Sequence, residues 1–183
     1  MKKAIICHGS GSSPESFWIP SIKRFLESKG YKVLAPNLPD PDQPDLEKWL
    51  PAILNSNFLE KGTVIIGHSS GAPLILSVLE KSNVVLSKAI LVAGYARSRK
   101  GSKKQELILQ EKYDWEIIKK NVDDIIFINS DNDPWGCDHN EGLYMWNKLG
   151  GTLILRSGEG HMGSDKFNQP YKEFPLLEKL LDS

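Results

Sequence analysis

Six short apolar runs constrain the fold of this chain more than any other feature. They lie at residues 4–7, 33–35, 64–66, 89–93, 125–128 and 153–155, and each is continuous rather than alternating in polarity. A strand with one wet face alternates; a continuous run marks a strand covered on both faces, as in a parallel sheet. Between the runs, apolar residues recur at helical spacing. Ile22, Phe25 and Leu26 form one stripe, with Pro20 suited to a first turn and Gly30 to a stop. Leu46, Trp49, Leu50, Ile53 and Leu54 form a second, and Pro51 inside it predicts a kink or a break. Leu74, Ile75, Val78 and Leu79 form a third. Leu143 and Trp146 form a fourth, before a Gly150-Gly151 stop, and Leu176, Leu177, Leu180 and Leu181 close the chain. Strand–helix alternation of this kind predicts a three-layer α/β/α sandwich around a six-stranded parallel sheet.

At 183 residues the chain reads as one domain, 1–183. Lysine plus arginine equals aspartate plus glutamate at 23 each, so no net field recruits nucleic acid or an anionic membrane. The two cysteines, Cys7 and Cys137, form no CxxC pair and no metal-ligand spacing. Reduced thiols and a cytoplasmic protein are expected, with no metal and no cofactor. The opening "MKKAIICHGS" imitates a secretory leader, but its apolar run is too short for one, and a buried first strand is the better reading. Nothing approaches a membrane-spanning length. Residues 95–121 are too long for a plain connection and read as a loop plus one or two helices, with room for a small lid over 96–121. The basic residues there (Arg97, Arg99, Lys100, Lys103 and Lys104) read as a solvated loop.

The third run ends in "GHSSGAP", so Gly67-His68-Ser69-Ser70-Gly71 places G-x-S-x-G between a strand and a helix. Small residues are needed because the nucleophile sits on a strained bend where larger neighbours would meet backbone. The bend also sets the Ser70 N–H at a helix start, where it can face a developing oxyanion. A serine hydroxyl needs a base. Of His8, His68, His139 and His161, only the last two follow Ser69, as this turn's usual order of serine, acid and histidine requires. His161 is preferred, since "SGEGHMG" follows the last strand in a glycine-rich loop. Between them, "SDNDPWGCDHN" offers Asp131, Asp133 and Asp138. Asp133 is chosen because Pro134 restrains its backbone, with Asp131 as runner-up. The second oxyanion donor is expected from "CHGSGSS" after the first strand, at the N–H of Ser10. That loop lacks the third glycine of a dinucleotide fingerprint and the Gly-Lys-Ser/Thr of a P-loop, which excludes nucleotide binding. Phe17, Trp18, Tyr95, Trp135 and Met162 flank these loops and predict an apolar pocket.

These residues resemble those of α/β-hydrolases, and more narrowly the small serine hydrolases typified by retinoblastoma-binding protein nine and its bacterial relatives. "HGSGSSPESFWIPSIKRFLESKGYKV", "LPDPDQPDLEKWL", "GHSSGAPLIL", "LVAGYA", "SDNDPW" and "GEGHM" carry the resemblance over nearly the whole chain. It implies a minimal α/β-hydrolase fold with little or no lid, and Ser69, Asp133 and His161 as nucleophile, acid and base. The family often has a proline shortly after its Asp-Pro pair where this chain has "WGC", ending in Cys137. That departure bears on the local pocket wall; the Cys137 thiol is expected to be an inert, partly buried side chain, with a place near the site as the alternative. Human-type relatives are named for binding the retinoblastoma protein through L-x-C-x-E; neither cysteine here sits in such a motif, so that partner is not inferred. The expectation is a serine hydrolase cleaving a small ester or amide. Its rival is a binding module on a hydrolase fold with weak or no catalysis.

Overall fold

The computed structural model describes residues 1–98 and 106–182. Each apolar run forms a strand: β1 Lys2–Cys7, β2 Tyr31–Leu34, β3 Val64–His68, β4 Leu86–Val92, β5 Val122–Ser130 and β6 Thr152–Arg156. They make a single parallel sheet in the order β2-β1-β3-β4-β5-β6. The helices are α1 Ile19–Ser28, α2 Leu46–Leu54, α3 Gly71–Lys81, α4 Trp115–Lys120, α5 His139–Leu149 and α6 Pro175–Asp182. α1 packs beside α6, whereas α2, α3, α4 and α5 pack in series, giving the three layers. β3 is buried along its whole length, while the edge strands β2 and β6 are only partly covered. The runs in the inner strands β1, β3, β4 and β5 therefore report cover from two helical layers.

Two helical expectations change. Pro51 does not break α2, which runs through it with Trp49 and Ile53 buried. The Asp45 side chain caps the start by accepting from the Glu47 N–H at 3.0 Å. The Asn55 N–H returns to the Pro51 carbonyl at 3.0 Å, so only the bond Pro51 cannot donate is forfeited. In α5 the helix forms but presents another face. Leu143 and Trp146 are exposed, and Glu141, Gly142, Met145 and Leu149 are buried. Within the long segment α4 is a six-residue helix capped by Asp114. Arg97 is not simply solvated: its guanidinium pairs with Glu141 at 3.0 Å and lies 4.2 Å from the Tyr144 ring centroid. Arg99, Lys100, Lys103 and Lys104 lie outside the described residues.

Because the strands are parallel, their carboxyl ends share one edge, and the loops after β1, β3, β5 and β6 meet there. The β1–β3 pair sits at the point where strand order reverses. Among the described residues no helix is long and apolar enough to cross a membrane.

Candidate active site

Between β3 and α3 only Ser69 and Ser70 make the turn. Ser69 takes φ 52°, in the left-handed region. Such a conformation costs a non-glycine residue about 1–3 kcal/mol and persists only where surrounding bonds impose it. Here the Ser69 N–H donates to the Val92 carbonyl at 2.9 Å, and its own carbonyl accepts from Ala72 at 2.9 Å. The flanking glycines are explained by close approach. A methyl on Gly67 would lie 2.6 Å from the Gly71 carbonyl oxygen, and one on Gly71 would lie 2.6 Å from that of Cys7. The loop after β1 also presses on the turn, since a methyl on Gly9 would fall 2.8 Å from Ser69 Cβ.

From the other half of the sheet, β5 delivers Asp133 and β6 delivers His161. His161 Nδ1 donates to Asp133 Oδ2 at 2.7 Å, and both side chains are buried. That bond fixes the tautomer and leaves Nε2 with a free lone pair. Asp133 Oδ1 accepts from the Trp135 N–H at 2.8 Å, so the carboxylate is held at both oxygens. Asp131 does a different job. It is exposed, accepts from Gly158 N–H at 2.8 Å and the Ser157 hydroxyl at 2.7 Å, and these bonds hold its carboxyl below the usual range. Asn132 Oδ1 accepts from Gly160 N–H at 2.8 Å, and Gln169 Oε1 from His161 N–H at 2.9 Å. Three side chains, Asp131, Asn132 and Gln169, thus pin the backbone that carries the imidazole; sequence reasoning passed over Asn132 and Gln169. The "SDND" run offered Asn132 as a turn-forming side chain, whereas nothing local marks Gln169.

Two further histidines are structural. His8 accepts from Leu38 N–H at Nε2 (3.0 Å) and donates from Nδ1 to the Gly9 carbonyl (2.9 Å), tying the loop after β1 to the one after β2. His68 donates from Nε2 to the His161 carbonyl at 2.9 Å. Its ring packs against Phe17, Trp18 and His161, with centroids 5.9, 5.8 and 4.9 Å away. Among the described residues its Nδ1 has no partner. Burial, aided by the neighbouring His161, pushes its pKa down to about 3, so it stays neutral beside the other imidazole. His139 sits in the first turn of α5.

Ser69, His161, Ser10, Phe17 and Trp135 line one cavity of about 380 Å³, with Gly9, Gly11, Ser12, Asp42, His68, Gly163, Ser164, Asp165 and Lys166. The expected apolar pocket is corrected: three charged side chains and several hydroxyls share the wall with two aromatic rings. Three of the five pocket candidates lie behind it. Trp18 is fully buried and donates from Nε1 to the Met162 carbonyl at 3.0 Å. Met162 is fully buried too. Tyr95 is 1% exposed, and its hydroxyl lies 3.0 Å from that of Ser70. Ser70 Oγ lies 2.6 Å from Ser10 Oγ, which links the two expected oxyanion loops. No acceptor among the described residues takes the N–H of Ser10 or of Ser70. Of the residues in the 95–121 segment that are described, none lines this cavity.

A parallel sheet whose strand β3 turns through a strained serine into a helix, beside a buried carboxylate–imidazole pair, defines an α/β-hydrolase. The sequence matches the serine hydrolase family over residues 4–183, and the chain belongs to that family. It is 30% identical to the serine hydrolase RBBP9 of Rattus norvegicus over 172 residues, 91% of this chain and 90% of that one. It is also 37% identical to the hydrolase YdeN of Bacillus subtilis over 100 residues, an alignment that spans 53% of each. The crystal structure of YdeN superposes with a TM-score of 0.90 at 26% identity, covering 100% of this chain and 97% of that one. A methylesterase of Arabidopsis, MES16, shares the fold at a TM-score of 0.70 and 14% identity, covering 99% and 97%.

Proposed function

We propose that this hydrolase cleaves a small ester by acyl transfer, with Ser69 as nucleophile, His161 as general base and Asp133 as the group that orients it. The observation that carries this reading is the His161–Asp133 hydrogen bond of 2.7 Å, opening onto the cavity that Ser69 also lines. His161 Nε2 takes the Ser69 proton as Oγ attacks the carbonyl carbon. Asp133 holds the imidazole in the required tautomer and stabilises its cation. The N–H groups of Ser10 and Ser70 receive the oxyanion; losing one such donor typically costs about 2.7–4 kcal/mol in the transition state. His161 then returns the proton to the leaving alcohol, and water resolves the acyl-enzyme by the same steps reversed. No step calls for a metal or an organic cofactor.

The substrate reading follows from the wall. Phe17 and Trp135 offer apolar contact, while Ser10, Ser12, Ser164, Asp42, Asp165 and Lys166 favour polar substituents. A compact ester with both kinds of surface fits better than a long acyl chain. Wild type should react with a fluorophosphonate probe at Ser69, and Ser69→Ala should not; equal labelling of both would overturn the assignment. p-Nitrophenyl esters of rising chain length, run beside aminoacyl-coumarin amides, test the substrate class. Turnover should fall with chain length and be weakest on the amides.

A further inference from the structure

We propose that Asp133, Cys137 and His161 form a binding site for a thiophilic divalent cation, zinc in the first instance, whose occupation switches the hydrolase off. The effect on turnover rests on the triad reading above; the binding does not. One ligand atom from each residue, a carboxylate oxygen, the Sγ and a ring nitrogen, lies within 4.8 Å of the other two. All three residues are buried.

Tetrahedral zinc, with bonds of about 2.0–2.3 Å, sets neighbouring ligand atoms about 3.3–3.6 Å apart. Asp133 and His161 must open slightly from 2.7 Å, and Cys137, within 4.8 Å of both, must close by at most about 1.5 Å. The donor set selects the metal class. Oxygen, nitrogen and sulfur together suit zinc, while magnesium and calcium take shells of oxygen. Charge agrees as well: one carboxylate and one thiolate cancel the dication, so the buried centre is neutral and avoids the cost of burying net charge. The backbone is braced for this. Gly136 N–H closes a turn onto the Asp133 carbonyl at 3.2 Å, and Asn129 Nδ2 holds the Cys137 carbonyl at 2.9 Å. Trp135 and His161 line the cavity, which gives an approach from solvent. Three protein ligands leave a fourth position open.

The protons balance simply. The Cys137 thiol releases its proton to solvent, and the imidazole proton moves from Nδ1 to Nε2, leaving the Nδ1 pair for the metal. With Nε2 protonated, His161 can no longer receive the proton of Ser69. The other thiol, Cys7, plays no part: burial pushes it up to about 12, on a strand.

Cobalt(II) added to the wild-type protein is the direct test. One equivalent should give the near-ultraviolet thiolate-to-cobalt band, zinc should displace it, and Cys137→Ser and Cys137→Ala should lack it. In parallel, zinc should inhibit hydrolysis of a p-nitrophenyl ester, and EDTA should reverse the effect. Each variant is compared with its own metal-free rate. Half-inhibition should need at least about tenfold more zinc in Cys137→Ser, since even outer-sphere partners cost about 10–100-fold when removed. Absence of the thiolate band in wild type, or equal zinc sensitivity in wild type and Cys137→Ser, overturns the proposal. Ser69→Ala should keep the cobalt band while losing turnover. A failure of the metal site therefore reads differently from a failure of the triad.

Discussion

His68 shows how a residue beside the proposed nucleophile can tie two loops of the candidate site together. It is one peptide unit from Ser69, and its Nε2 holds the carbonyl of His161. The Ser69 turn and the His161 loop thus meet through one side chain. Its protonation carries a stability consequence. In the unfolded chain the imidazole binds a proton below its ordinary 6.5, but in the fold only near 3. The unfolded state therefore gains the proton first, and stability falls as pH drops from 6.5 toward 3, by at most about 1.4 kcal/mol per unit. His68→Phe removes that dependence. Urea unfolding at several pH values should show the wild-type advantage over the variant narrowing as pH falls; a constant gap would contradict the buried neutral imidazole. At this scale the candidate site was legible where chemistry demands a residue type in a fixed order. Ser69, Asp133 and His161 could be picked out that way. The pinning residues could not, because Asn132 and Gln169 act through main-chain N–H groups that any loop presents.

For elements, α5 is the instructive case. Its sequence "HNEGLYMWNKL" holds two competing apolar pairs, Leu143 with Trp146 and Met145 with Leu149. Periodicity alone cannot rank them. The choice is made by neighbours far away in sequence: Gly142 lies where a methyl would meet Asn129 Oδ1 at 2.5 Å, and Glu141 turns inward to meet Arg97. Trp146 stays outside and donates from Nε1 to the Gly151 carbonyl at 3.0 Å, covering the helix end. Met145→Ala should lower unfolding free energy by about 2–5 kcal/mol, as for other buried large-to-small changes. Leu143→Ala should stay within about 0.5 kcal/mol. Denaturant melts of the two variants check this, and the reverse ranking would restore the face that sequence spacing favoured. Pro51 makes the same point in α2. Its local preference is to end a helix, yet buried Trp49 and Ile53 and the Asp45 cap outweigh the one lost hydrogen bond.

The whole molecule was the most legible level, since six continuous runs separated by helical stretches leave few topologies open. What the runs could not reveal was which loops touch. Trp18 and Met162 illustrate this: their contact joins residues 144 apart, and both had been read as pocket wall. The assembly has two unlike ends. Loops at the carboxyl edge carry the cavity, while the return turns at the other edge include Gly30 and Gly62, beside which an added methyl would meet nothing within 4 Å. An insertion of a few Gly-Ser residues after Gly62 should therefore leave fluorophosphonate labelling of Ser69 close to wild type, whereas the same insertion between Gly9 and Ser10 should abolish it; gel fluorescence reads both. That silent pole is where nature or an engineer can graft a tether, a tag or a new docking module, because cargo attached there hangs away from the reactive mouth.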